Sequence, residues 1–218
     1  MTEQVVGPVG RRGRPPMSDR HREQTRLDIS RIAVGLFQRH GLTGTGAEQI
    51  ADAAGISVRT LWRYFRSKEA CVEPLLRLCT DAWVTALRSW PRDRDLQEHL
   101  TQVMALGPDA EPEDDDRVRA VIRLATTEPE LRAVWLVLCD RAEKVLGTVL
   151  AERYGMDEGT LEIRVQAAAL NAAQRLALEE LGSTDGSLDS LRPHRARLSK
   201  AVARVYRDFT VAPELPAP

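Results

Sequence analysis

The sequence predicts an all-α protein in two parts, a small three-helix module followed by a larger helical bundle. Three observations carry this expectation. Apolar residues recur at helical spacing along most of the chain, Gly and Pro gather at the ends of those stretches, and the formal charge divides at one point. Residues 1–68 hold 12 Lys and Arg against 6 Asp and Glu, whereas residues 69–218 hold 19 against 26. A net charge of −1 over 218 residues therefore hides a basic module beside an acidic body, the polarity expected of a chain that places nucleic acid at one end.

The first helix is expected over Arg22–His40, where Ile29, Ile32, Ala33, Leu36 and Phe37 form a one-sided apolar stripe, and Gly41 ends it. Thr45 followed by Glu48 reads as a capping box that opens a second helix carrying Ile50, Ala51 and Ala54. Gly55 stops that helix and Ser57 is a good N-cap for a third, so the connecting turn is only about three residues long. On the third helix, Val58–Phe65, Leu61 and Phe65 face a core, leaving Arg59, Thr60, Trp62, Arg63 and Tyr64 on the other sides. Two short helices joined by so tight a turn form a helix-turn-helix. The start of its second helix reaches base edges in the major groove. Arg59 and Thr60 occupy that position, and arginine pairs bidentately with guanine. Trp62 and Tyr64 either offer their polar tips to phosphate or plug the core of the small module.

The run from about Thr25 to Leu75 resembles the DNA-binding domain of the TetR family of bacterial transcriptional regulators. The resemblance rests on Ala33, Leu36-Phe37, Gly41, Ile50-Ala51, Ala54-Gly55-Ile56-Ser57, Thr60-Leu61, Tyr64-Phe65 and Ser67-Lys68-Glu69. Trp62 departs from it, standing where the family usually has tyrosine. The resemblance implies DNA-facing roles for Thr45, Arg59, Thr60, Trp62, Tyr64 and Lys68. From Thr127 onward the chain also resembles actinobacterial members, including regulators linked to mycofactocin. Residues 21–68 are thus expected to be the DNA-binding domain and residues 69–211 the ligand-binding and dimerisation domain.

Residues 1–20 lack apolar periodicity and are expected to be a disordered basic arm, as residues 212–218 are a disordered tail. Within the arm, Arg12-Gly13-Arg14-Pro15 resembles an AT-hook. Arg12 and Arg14 either enter a narrow A·T-rich minor groove or supply charge alone.

The elements expected next are a helix that begins near Ser67 and runs to about Trp90, a second over Asp95–Leu106, a solvated acidic loop over 108–116, a helix over Arg117–Thr126, and one opened by Glu128-Pro129-Glu130 and continued over Leu131–Tyr154. Glu158–Leu181 and a final helix marked by Leu188, Leu191, Leu198, Val202, Val205 and Phe209 complete the chain. The family resemblance gives the last helix pair to a homodimer interface, with Leu176, Leu198, Val202 and Val205 at its core. It also implies a small-molecule effector site in the middle helices, where Trp83, Leu87, Met104, Leu124, Trp135 and Cys139 are candidate lining residues. Asn171 and Gln174, amides in an Ala- and Leu-rich helix, either orient that ligand or bond between helices.

Other function classes find little support. His21, His40, His99 and His194 are scattered, and no nucleophile–base pair, metal-ligand spacing or phosphate loop is visible, so neither an enzyme nor a cofactor or metal protein is expected. No apolar run approaches the roughly 20 residues of a membrane span and the basic start lacks an export segment, which predicts a cytoplasmic protein. Cys71, Cys79 and Cys139 read as buried thiols, with Cys71 and Cys79 as the one conceivable redox pair. The expected whole is a dimeric, ligand-responsive regulator that binds a double-stranded operator, most simply as a repressor. An activator and an architectural DNA binder are the alternatives.

Overall fold

Nine α-helices and one 3₁₀ turn make up the computed structural model, which describes residues 19–103, 110–184 and 192–208; no strand occurs among them. Helix α1 spans Asp19–His40, one turn longer at its start than the apolar stripe predicts. The short helices α2 (Ala47–Ala53) and α3 (Val58–Tyr64) pack across it through Ile50, Ala51 and Leu61, all at most 1% exposed.

The cap of α2 corrects the sequence reading. Gly46, not Thr45, is the N-cap, and the reciprocal bond runs from the Gly46 amide to Gln49 Oε1 at 2.7 Å. Thr45 is wholly buried and its hydroxyl donates to the Gly41 carbonyl at 2.8 Å, so its hydrogen-bonding capacity is spent on the loop that closes α1. Gly44 lies in the same loop, where a Cβ would sit 2.2 Å from the His40 carbonyl oxygen, a contact only glycine avoids. Ser57 caps α3 as expected, its Oγ accepting from the Thr60 amide.

After α3 the chain makes a 3₁₀ turn, Glu69–Val72, before α4 (Glu73–Arg88), where one continuous helix is expected. Pro74 explains the interruption: without an amide hydrogen it fits a first helical turn and not a helix interior, so the α-helix restarts around it. Helices α5 (Leu96–Val103), α6 (Asp114–Ala125), α7 (Pro129–Tyr154), α8 (Leu161–Ser183) and α9 (Arg192–Asp208) follow. Helix α6 therefore begins inside the acidic stretch that reads as a loop. Its carboxylates Asp114, Asp115 and Asp116 occupy the first turn, where the helix dipole favours them.

Two apolar cores meet in the body. One joins Leu27, Ala33, Leu36 and Phe37 of α1 with Leu75 of α4, Val118 and Val121 of α6, and Trp135 of α7. The other gathers Trp83, Leu87 and Trp90 with Leu100, Leu146, Leu170, Val202 and Tyr206. Val202, 2% exposed, belongs to this second core, so its burial comes from the subunit itself and corrects its assignment to a dimer interface. Leu198 and Val205 are half-buried on the same helix, and Leu176 is exposed. Leu188, Leu191, Phe209 and the tail lie outside the described residues.

The module and the body are joined by ion pairs as well as apolar contact. Arg31 of α1, its side chain 8% exposed, reaches the fully buried Asp114 of α6 through Nε and through Nη2 at 2.7 Å. Arg117 and the Glu111 amide donate to the same carboxylate, while Asp28 and Glu111 pair with Arg31 from the rim. A second junction forms at Glu73, which accepts from Arg26 of α1, Arg77 of α4 and Arg141 of α7.

Candidate nucleic-acid interface and effector cavity

The reading surface is built by the turn between α2 and α3. Gly55 takes a left-handed backbone (φ 65°), and the Ile56 amide returns to the Ala51 carbonyl at 3.0 Å, closing the turn in the space of three residues. With Leu61 and Phe65 anchored in the core and Val58 and Tyr64 packed against it, Arg59, Trp62 and Arg63 are left facing outward. Arg59 is exposed and makes no hydrogen bond or ion pair among the described residues, so its whole donor fork is available. Thr60 is half-buried and shares its hydroxyl with Ser57 Oγ at 2.9 Å. Trp62 is 44% exposed, which disposes of the idea that it plugs the module's core. Arg63 is exposed beside the ring of Tyr64, and that ring rests against the core.

Two predicted contacts lie elsewhere than on this surface. Thr45 is internal, as described above. Lys68 is half-buried and its ammonium donates to the Leu42 and Thr45 carbonyls, at 2.6 and 2.9 Å, pinning the loop before α2 to the segment after α3. No local pattern announces that tie, since its partners are backbone atoms 26 and 23 residues away. Arg12 and Arg14 lie outside the described residues.

In the body, a small cavity opens where the two cores meet, between α4, α7 and α8. It is lined by Trp83, Trp135, Cys139, Asn171 and Gln174, five of the residues expected from sequence, together with Cys79, Thr80, Ala142, Arg175 and Leu178. Leu87 packs in the second core and Leu124 against the first, neither at the cavity wall, and Met104 is outside the described residues. Its polar inventory is unusual for an interior. The indole N–H groups of Trp83 and Trp135 are buried without an acceptor, and a buried donor is normally paired. Asn171 is occupied, donating to the Cys139 carbonyl at 3.1 Å and to Glu143, so it takes the interhelical role of the two alternatives.

The cysteines are free and buried. Burial pushes the Cys71 and Cys139 thiols up to about 12, which leaves almost no thiolate at neutral pH and argues against the Cys71–Cys79 redox pair. Among the described residues no helix is long and apolar enough to cross a membrane.

A basic, outward-facing recognition helix set on a helical body defines a helix-turn-helix DNA-binding protein. Comparison with known proteins agrees and is more specific: residues 29–75 match the model of bacterial regulatory proteins of the tetR family, and residues 94–205 match that of the MftR C-terminal domain. The chain belongs to the TetR family of transcriptional regulators, which are not enzymes. It is 29% identical over 198 residues to the HTH-type transcriptional regulator TcmR of Streptomyces glaucescens, covering 82% of this chain and 88% of that one. To the HTH-type transcriptional regulator RutR of Escherichia coli it is 34% identical over 93 residues, 43% of this chain and 41% of that one. Its fold is shared with Salmonella enterica GusR, with a TM-score of 0.52 at 20% identity over 85% of this chain and 93% of that one.

Proposed function

We propose that the protein is a dimeric repressor that occupies a two-fold operator and is released from it by a small molecule held between α4, α7 and α8. The observation that carries this reading is the cavity with two unpaired indole donors, set in a body that shares a buried ion pair with the reading head. A ligand that alters the packing of α4 and α7 acts on the same core that holds α1. Dimerisation is supported by α8, whose outward face carries Leu161, Val165 and Leu176 at 66, 45 and 56% exposure. Ala168, Ala169 and Ala172 lie between them and permit close approach of a second helix. An apolar stripe of this length on a soluble surface marks an association site. Two-fold symmetry then doubles the base pairs read.

The test is operator binding followed by fluorescence anisotropy, then a screen for compounds that release the DNA. Release by none of a broad metabolite library, with binding intact, overturns the ligand response and leaves the DNA binder. In the same assay Arg59→Ala is expected to lose about 1–3 kcal/mol on the operator and less on scrambled DNA, because it removes a base contact. Lys68→Ala is expected to lower the melting temperature of the protein as well as its affinity, since two carbonyls lose their donor. Equal losses of Arg59→Ala on both DNAs would move base reading to another residue.

The arm is proposed to read the minor groove. Deleting residues 1–16 is expected to cost more affinity on operators with A·T-rich flanks than on those with G·C-rich flanks, because only the former are narrow and strongly negative. Equal losses on the two flanks would reduce the arm to a source of charge.

A further inference from the structure

One side chain on the recognition face is not explained by charge. Trp62 is 44% exposed, and every other large apolar side chain so exposed among the described residues lies at Leu136 or beyond, on α7 and α8. The rest of the exposed surface of α2 and α3 is polar or small: Glu48, Gln49, Asp52, Ala53, Arg59 and Arg63. The indole makes no hydrogen bond and no ring contact among the described residues. Its position follows from the helix. With Leu61 turned into the core, Arg59 and Arg63, one turn apart, form the outer ridge of α3, and Trp62 stands on one flank of that ridge. Arg63 leans the other way, its guanidinium carbon 5.9 Å from the centre of the Tyr64 ring, so the indole has its flank to itself.

On the reading that α3 is the recognition helix of an operator-binding protein, we propose that Trp62 reads a thymine. Its ring packs on the C5-methyl group of a thymine that lies within about two base pairs of the guanine contacted by Arg59. The spacing follows from the helix: three residues rise about 4.5 Å, between one and two base-pair steps of about 3.4 Å. The major groove shows polar donors and acceptors on every base pair, and the thymine methyl is the apolar group by which it marks A·T. To a phosphate an indole offers a single N–H, whereas to a methyl group it offers a whole face. A cytosine in the same place would remove the methyl and present an N4 amino group, for which the indole has no acceptor.

The operator is isolated by selecting binding sites of the full-length protein from random duplex DNA. Each thymine of one half-site is then replaced singly by deoxyuridine, which keeps all the hydrogen-bonding groups of the pair and deletes only the methyl. Affinity is read by fluorescence anisotropy. At one position the wild-type protein is expected to bind about fourfold more weakly, the worth of one methyl group returned to water. Trp62→Ala should bind the thymine and uracil operators equally. Trp62→Phe, which keeps a ring and deletes the N–H, should retain most of the discrimination. The side chain is exposed, so both variants should fold as the wild type does, which circular dichroism checks.

A uracil penalty that survives in Trp62→Ala belongs to another residue and overturns the proposal. So does a Trp62→Phe variant that loses affinity equally on thymine and uracil operators, because the N–H would then be serving a phosphate. A specific operator that tolerates uracil at every position overturns the thymine contact and leaves α3 as the reading helix. A selection that enriches no sequence overturns both.

Discussion

Replacing Asp114 with alanine is expected to cost about 3–5 kcal/mol of folding stability, enough to unfold much of the population at physiological temperature. The magnitude follows from what is left behind. Arg31 would remain almost buried without the carboxylate that takes three of its hydrogen-bond geometries, and the carboxylates of Asp28 and Glu111 that still pair with it are half-exposed. Asp114→Asn keeps the shape and part of the hydrogen bonding, and should fall between the two. Urea denaturation at neutral pH gives the comparison. A loss below about 1 kcal/mol for the alanine variant would mean that Arg31 relaxes into solvent and that the pair does not hold the head to the body.

The same pair predicts a pH dependence. Burial alone would raise the Asp114 carboxyl, but hydrogen bonds from Arg31, the Glu111 amide and Arg117, with the charge of Arg31, outweigh it and hold the group below its ordinary value of 3.8. Because the folded state binds this proton more weakly than the unfolded chain does, the contribution is complete above the ordinary carboxyl value. It is lost as the pH falls through the lower folded one. Wild-type protein should therefore lose stability more steeply than Asp114→Asn below about pH 4.

Placing glutamate at both Val165 and Leu176 is expected to leave the subunit folded and to abolish its dimer. Both side chains are exposed in the subunit, so the carboxylates cost little there, but they would have to be desolvated without partners in an α8 interface. Operator affinity should fall by about 10³-fold or more, the separation between specific and non-specific binding, because one head reads only half a site. Sedimentation and circular dichroism together decide it. A folded, fully dimeric double variant would move the interface to another face. Val202→Glu serves as the contrasting case. It buries a carboxylate in the second core and should unfold the chain rather than separate it.

Most of the helices were legible because each announces itself locally. The apolar stripe of α1, the Gly55 stop, the Ser57 cap and the Pro129 start of α7 are properties of a few neighbouring residues, and the structure keeps all of them. The failures share the opposite property. The acidic run at 111–116 looks solvated until Arg31, 83 residues from Asp114, is placed beside it. Thr45 fits a capping pattern by residue type, and only the packing of the α1–α2 loop decides that its hydroxyl turns inward and that Gly46 begins the helix. At the cavity, the family resemblance suggested Trp83, Trp135 and Cys139, and Asn171 and Gln174 stood out as amides in an apolar helix, but Leu87 and Leu124, suggested on the same ground as the first three, belong to ordinary cores. Val202 was misassigned for a related reason, since an apolar position on a terminal helix reads the same whether its neighbour is in its own subunit or another.

The first core runs without interruption from α1 into α6 and α7, joining Phe37 and Leu61 of the head to Val121 and Trp135 of the body. The head and the body therefore share one continuous layer of buried side chains. Because a close-packed interior transmits strain, a substitution that changes side-chain volume at Val121 or Trp135 is expected to shift the set of the recognition helix as well as the stability of the body, read as a change in operator affinity.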